Sequence, residues 1–254
     1  MAPKSLAIAA TLLAVSGLQS AFAASTTIKF TVEGADEEAY TAANLARVGK
    51  LPVRINKLKE NFDIVASLTT ELTMNKYLTG DTCENMQVHE ALKNIFSVQF
   101  DFPQGKETPV DYRQMMQTAL TNGIEALKKK SPYGNSSSTW EALWADEAGA
   151  QVSYILWGNS TEIGCVIGRC TEIISDENEE SNITTNAMLV CLLSPSPEKN
   201  KAPFSKEYYD AVIERTTLLS EMTDKDLQGS SNDAAAVAVP SFLLIGIVVM
   251  LQLL

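Results

Sequence analysis

Gln151-Val-Ser-Tyr-Ile-Leu-Trp157 and Ala187-Met-Leu-Val-Cys-Leu-Leu193 decide the fold class of this chain. Both are short and either rich in β-branched and aromatic residues or continuously apolar, so both read as strands. Between them Asp176-Glu-Asn-Glu-Glu180 reads as a solvated acidic turn. The other reading of that run is a calcium loop, but it has neither the alternating Asp/Asn ligands nor the central glycine of an EF-hand.

Helices are predicted on either side. Ala35 to Val48 is rich in Ala and Glu and stops at Gly49 with Pro52 beyond, the pattern of a terminated helix. Asp81-Thr-Cys-Glu84 predicts a second helix through Met86, Val88 and Leu92, with Cys83 in its first turn. Thr108-Pro109-Val110-Asp111 opens a third, with Thr108 as N-cap and proline at the first helical position. Tyr112, Met115, Met116, Ala119, Leu120, Ile124 and Leu127 recur on one of its faces. Lys128-Lys129-Lys130 complements its negative end, and Pro132 stops it. A last helix is predicted over Ser205 to Met222, with Glu207 in its first turn and Tyr208, Val212, Ile213 and Leu219 on one face. Helices, then paired strands, then a helix again imply a layered α+β domain.

Both ends carry processing signals. Lys4 is followed by an apolar stretch from Leu6 to Leu18 and by Ala21-Phe22-Ala23, which read as a signal peptide over residues 1–23. Val237 to Leu254 is almost wholly apolar, contains Pro240 and has no basic flank, where a membrane span carries cytoplasmic Lys or Arg. Small polar residues precede it. The pattern reads as a glycosylphosphatidylinositol (GPI) signal, with attachment at Gly229, Ser230, Ser231 or Asn232 and a cleaved tail over residues 233–254; a true span is the alternative. Residues 24–222 are then the ectodomain and 223–232 a flexible stalk.

The formal net charge is −11, and processing removes Lys4 and Asp233, one charge of each sign. A surface this acidic argues against nucleic acid as partner, since phosphate backbones are bound by neutralising cations. Roughly 205 residues remain, the size of one domain with its own core. Cys83, Cys165, Cys170 and Cys191 are an even set in a secreted chain and read as two disulfides, for which sequence allows three connectivities. A four-thiolate zinc site is the alternative, weakened by the lack of a second close-spaced pair.

Trp157-Gly-Asn-Ser-Thr-Glu-Ile-Gly-Cys-Val-Ile-Gly-Arg-Cys170, followed by Leu189-Val-Cys-Leu-Leu-Ser-Pro-Ser-Pro197, resembles the CAP superfamily of cysteine-rich secretory proteins, antigen 5 and plant pathogenesis-related protein 1. Trp144-Ala-Asp-Glu147 is similar to its Trp-x-x-Glu, and Asn44-Leu-Ala-Arg47 to its first-helix Asn-x-x-Arg. Ile163-Gly-Cys-Val-Ile-Gly-Arg-Cys170 and the processed ends also resemble the SAG family of Eimeria surface antigens. That resemblance implies a CAP-like three-layer αβα sandwich with a small antiparallel sheet, stapled by disulfides and held in the outer leaflet by a GPI lipid. It implies display to host-cell surface or immune components. It also implies the disulfides Cys165–Cys191 and Cys83–Cys170.

Many CAP proteins hold two histidines and two glutamates in a central cleft. Alignment on Asn44 puts Ala43 at the first histidine and alignment on Trp157 puts Gln151 at the second, while Glu147 corresponds to one of the acids. The resemblance therefore implies a degenerate cleft with no metal or other cofactor. His89, the one histidine in the chain, reads as a mid-helix residue, and no Gly-x-Ser-x-Gly accompanies it. We expect no enzyme. A lipid or small-molecule carrier is one alternative, and a hydrolase with an unrecognised carboxylate site built around Glu147 is another. Trp140, Trp144 and Trp157 read as core residues, with carbohydrate stacking the other reading. Asn135, Asn159 and Asn182 stand in N-glycosylation sequons.

Overall fold

The computed structural model describes residues 25–228, except 75, 93, 104–108, 131–132, 134–136 and 176–179. In chain order the elements are β1 (Ser25–Gly34), α1 (Glu37–Val48), β2 (Lys59–Glu60), α2 (Phe62–Thr73), β3 (Leu78–Thr79), β4 (Gln87–Val88), β5 (Ile95–Asp101), α3 (Tyr112–Lys130), α4 (Ser137–Trp144), α5 (Glu147–Ile155), β6 (Glu162–Ser175), β7 (Glu180–Ser194) and α6 (Lys206–Glu214). Two 3-10 turns follow, Leu219–Glu221 and Asp224–Leu227. The stretch read as a signal peptide, the attachment candidates Gly229 to Asn232, Thr108, Asn135 and most of the acidic run lie outside the described residues.

β6 and β7 pair antiparallel from Glu162↔Ser194 to Ser175↔Glu180, with a bulge between Cys170 and Thr171. β1 pairs with the outer side of β6 and β5 with that of β7, giving the order β1-β6-β7-β5, while β2 joins β6 in parallel. The alternation of strand side chains sorts the core into two halves. Ile163, Cys165, Ile167, Leu189, Cys191 and Leu193 face α1, α3, α4, α5 and α6. Val166, Cys170, Met188 and Val190 face α2 and the β3–β4 hairpin. The result is an α+β domain with a sheet covered on both faces.

Two disulfides lie on opposite faces of that sheet. Cys165 is bonded to Cys191, its direct cross-strand partner. Cys83 is bonded to Cys170 and ties the turn between β3 and β4 to the sheet. All four cysteines are fully buried.

Four readings from sequence are corrected. Gln151 to Trp157 is no strand: Gln151 to Ile155 closes α5, whose N-cap Asp146 accepts from the Gly149 amide at 2.9 Å. A short apolar run with both faces buried carries no periodicity that separates helix from strand. The helix read from Asp81 to Leu92 is a turn and the strand β4, because the Cys83 bond and the pairing of Leu78 with Val88 hold that segment extended. The third helix begins at Tyr112, with the Asp111 carboxylate accepting from the Gln114 amide at 2.9 Å, so Asp111 takes the capping role assigned to Thr108. The last helix ends at Glu214, where Arg215 turns back onto the carbonyls of Leu45, Ala46 and Gly49 at the end of α1. Within the segment read as a stalk, Asp224–Leu227 is a 3-10 turn, and Arg54 donates to the Leu227 carbonyl.

α2 was not expected. Its Thr69, Thr70 and Thr73 are poor helix formers, and each hydroxyl donates to the carbonyl four residues back. Asn61 caps its start, accepting from the Asp63 and Ile64 amides, and burial of Leu68 and Leu72 against the sheet overrides the weak propensity.

A candidate site at the open edge of the sheet

β5 is an edge strand, and the edge is managed by a side chain. Gln151 on α5 accepts from the Ser97 amide at 2.7 Å through Oε1, and its Nε2 donates to the Ser97 hydroxyl at 3.4 Å. Beside this contact lies a cavity of about 710 Å³. Met86, Leu92, Ile95 and Met188 give it an apolar lining, and His89, Glu90, Asn94, Gln99, Glu147 and Lys199 add polar groups. Its volume falls in the range of small-molecule sites.

The structure brings Glu147 and Gln151 together in this cavity and adds His89. Ala43 is elsewhere, fully buried on α1 in the helix-side core. His89 is corrected from a mid-helix position to the turn after β4, where its ring stacks on Tyr77 with centroids 5.6 Å apart. Its Nδ1 accepts from the Ala91 amide at 3.1 Å. The Gln151 amide is committed to the backbone of β5. Among the described residues no group of three or more His, Cys, Asp or Glu could hold a metal ion.

The Asn-x-x-Arg of α1 builds the frame behind the site. Asn44 donates to the Leu58 carbonyl at 2.9 Å and accepts from the Leu58 amide at 2.7 Å. Arg47 is fully buried without a carboxylate and donates to the carbonyls of Asn56, Ile155, Trp157 and Ser160. Desolvation pushes its guanidinium down to about 10. Tyr208, whose phenol burial pushes up, donates to the Arg47 carbonyl at 2.7 Å. The end of α5, the loop into β6 and α6 are thereby locked to one helix. No sequence signal distinguished this carbonyl clamp from an ordinary exposed arginine.

The three tryptophans are buried. Trp144 packs against Tyr154 and Trp157, and its indole donates to the Lys201 carbonyl at 2.8 Å. Trp140 packs against Tyr133 and Phe204. None offers a free face to a sugar, so the stacking reading falls. Asn159 and Asn182 are both exposed.

No protein-family model matches the sequence, and no curated protein is significantly similar to it. Among solved structures, the chain is similar to the Eimeria tenella surface antigen protein SAG19, with a TM-score of 0.45 and 19% sequence identity, over 72% of this chain and 96% of that one.

Proposed function

We propose that this protein is a GPI-anchored, CAP-like surface antigen of an apicomplexan parasite, displayed on the outer leaflet of the plasma membrane as a non-enzymatic attachment or immune-facing module. The observation that carries the reading is the pair of buried disulfides on opposite faces of the sheet, a design suited to an oxidising compartment. The signal-like N-terminus, the GPI-like tail and the resemblance of Ile163 to Cys170 to SAG antigens support it. The non-enzymatic part draws on Gln151, whose amide is used to close the β5 edge rather than to hold a metal. The test has two arms. Phospholipase C should release the protein from intact cells, and the oxidised ectodomain should bind host epithelial cells saturably, with binding lost on reduction. Protein that resists the lipase with its tail still present by mass spectrometry sinks the anchor. Absence of binding by well-folded protein moves the role to immune display.

A second reading, a carrier of a lipid or small molecule, is favoured by the half-apolar cavity beside β5. Sterols or fatty acids should then raise the melting temperature. Purified protein with no extractable lipid and no thermal shift would remove that reading.

A further inference from the structure

The segment at the end of the described chain is fastened to one end of the domain. Arg54, six residues past α1, donates to the carbonyls of Asp226 at 3.4 Å, Leu227 at 3.3 Å and Gln228 at 3.3 Å. Arg113 on α3 donates to the Met222 carbonyl at 2.5 Å. The Thr223 amide donates to the Asp226 carboxylate at 2.7 Å, closing the 3-10 turn Asp224–Leu227. Lys50 follows Gly49, whose Cα lies against the Met222 side chain at the start of this segment, so it stands at the same end.

This end of the domain is also where β6 begins. Asn56, two residues past Arg54, donates to the Gly158 carbonyl at 3.1 Å, and the Thr161 amide donates to Ser194 at the start of the β6–β7 ladder. From Glu162, β6 runs through 14 residues to Ser175. At about 3.3 Å per residue its far end lies on the order of 40 Å away along the strand direction. There β1 begins, Ser25 pairing with Ser175, and Ser181, Asn182 and Ile183 are exposed. The attachment candidates Gly229 to Asn232 follow Gln228 by one to four residues, a tether of at most about 14 Å.

We propose that the end built from Lys50, Arg54 and the turn Asp224–Leu227 faces the lipid surface, and that the far end of the ladder, at Ser175 and Ser181 to Ile183, points away from it. A short tether leaving from a pinned point restrains orientation, where a long free stalk would let the body tumble. The inference rests on the GPI reading. It also separates the two exposed sequons. Asn159, next to Gly158, lies at the lipid-side end, and Asn182 lies at the far one.

The test uses full-length protein recovered from cell membranes and reconstituted into phosphatidylcholine vesicles that contain a headgroup-labelled acceptor lipid. A donor fluorophore is carried on a bio-orthogonal amino acid replacing Lys50 in one sample and Asn182 in another. Energy transfer should be several-fold more efficient from position 50. Equal or reversed efficiencies would overturn the proposal. In Arg54→Gln, which frees the carbonyls of 226–228, the difference should narrow; an unchanged difference would overturn the pinning as its cause. Phospholipase C release reports on the anchor separately. Release combined with the wrong ranking sinks the orientation and leaves the anchor standing, whereas lipase resistance with the right ranking does the reverse.

Discussion

Arg47 shows how one side chain organises the frame. Its guanidinium serves carbonyls from the loop after α1, the end of α5 and the loop into β6, all of which approach it because it is there. Replacing it with methionine keeps the volume and removes every donor. Since each unpaired buried carbonyl costs about 1–3 kcal/mol, Arg47→Met should lose at least about 4 kcal/mol, read from denaturant midpoints at an unchanged m value. Arg47→Lys should recover little, because a point ammonium lacks the planar fork that reaches several acceptors at once. A second expectation concerns alkaline pH. Burial raises the phenols of Tyr40, Tyr112, Tyr133 and Tyr208, that of Tyr40 from 10.0 to about 12. Each contributes stability that is complete below pH 10 and is lost as pH rises through the folded value. Arg47 works in the opposite direction, since its cation is disfavoured by folding and stability returns as it deprotonates above about 10. Burial also holds the Tyr209 phenol up and the Arg215 guanidinium down, so five phenols against two guanidiniums leave a net loss. The denaturant midpoint should fall between about pH 10 and about pH 12, with phenolate absorbance rising as the chain unfolds.

Among the elements, β6 is the one whose composition the packing explains. Two glycines in its motif face α2 and the β3–β4 hairpin. A Cβ on Gly164 would sit 2.7 Å from the Ile64 Cβ and 2.8 Å from the Val65 amide nitrogen, whereas one on Gly168 would meet the Leu78 Cδ2 at 2.6 Å. The first obstacle is a branched carbon and a helix backbone; the second is the end of a flexible side chain. Gly164→Ala should therefore cost about 2–3 kcal/mol and Gly168→Ala about 1 kcal/mol or less, compared by thermal melts. Equal costs would mean that α2 moves as easily as a leucine tip. Sequence carried part of the sheet and its helices. The Val-Cys strand, β7, was legible from its continuous apolar run, α1 from its composition and the stop at Gly49, and α3 from its apolar stripe. α5 was not, because Val152, Tyr154 and Ile155 are β-formers by composition and helical only because α3 and the sheet bury them together. The close approach that buries them depends on Gly123 of α3, where a Cβ would strike the side chain of Val152.

For the whole molecule the disulfides matter most. They span sequence separations of 87 and 26 residues. Loop-closure entropy assigns them about 4.6 and about 3.5 kcal/mol, against a net stability of about 5–15 kcal/mol for a typical domain. Full reduction should therefore unfold much of the population at 37 °C. The double variant Cys83→Ser/Cys170→Ser should melt lower than Cys165→Ser/Cys191→Ser, because the longer loop is released; the reverse order, seen by calorimetry, would show that packing at Cys165 outweighs chain entropy.

Read alone, the chain showed two candidate processing signals, an even set of cysteines, an acidic surface, and two of the main helices with one core strand, because these are local patterns of charge, spacing and periodicity. Resemblance to a known family also grouped Ala43, Glu147 and Gln151 as a degenerate cleft. Tertiary structure decided the rest. Ala43 is buried away from the other two, His89 arrives from a separate hairpin, and Gln151 is spent on the backbone of an edge strand. Arg47 becomes a carbonyl clamp, and the segment after α6 is folded back onto α1. These depend on which groups from distant parts of the chain are left with unpaired donors, acceptors or apolar surface after the sheet has formed, a question that no window of sequence contains.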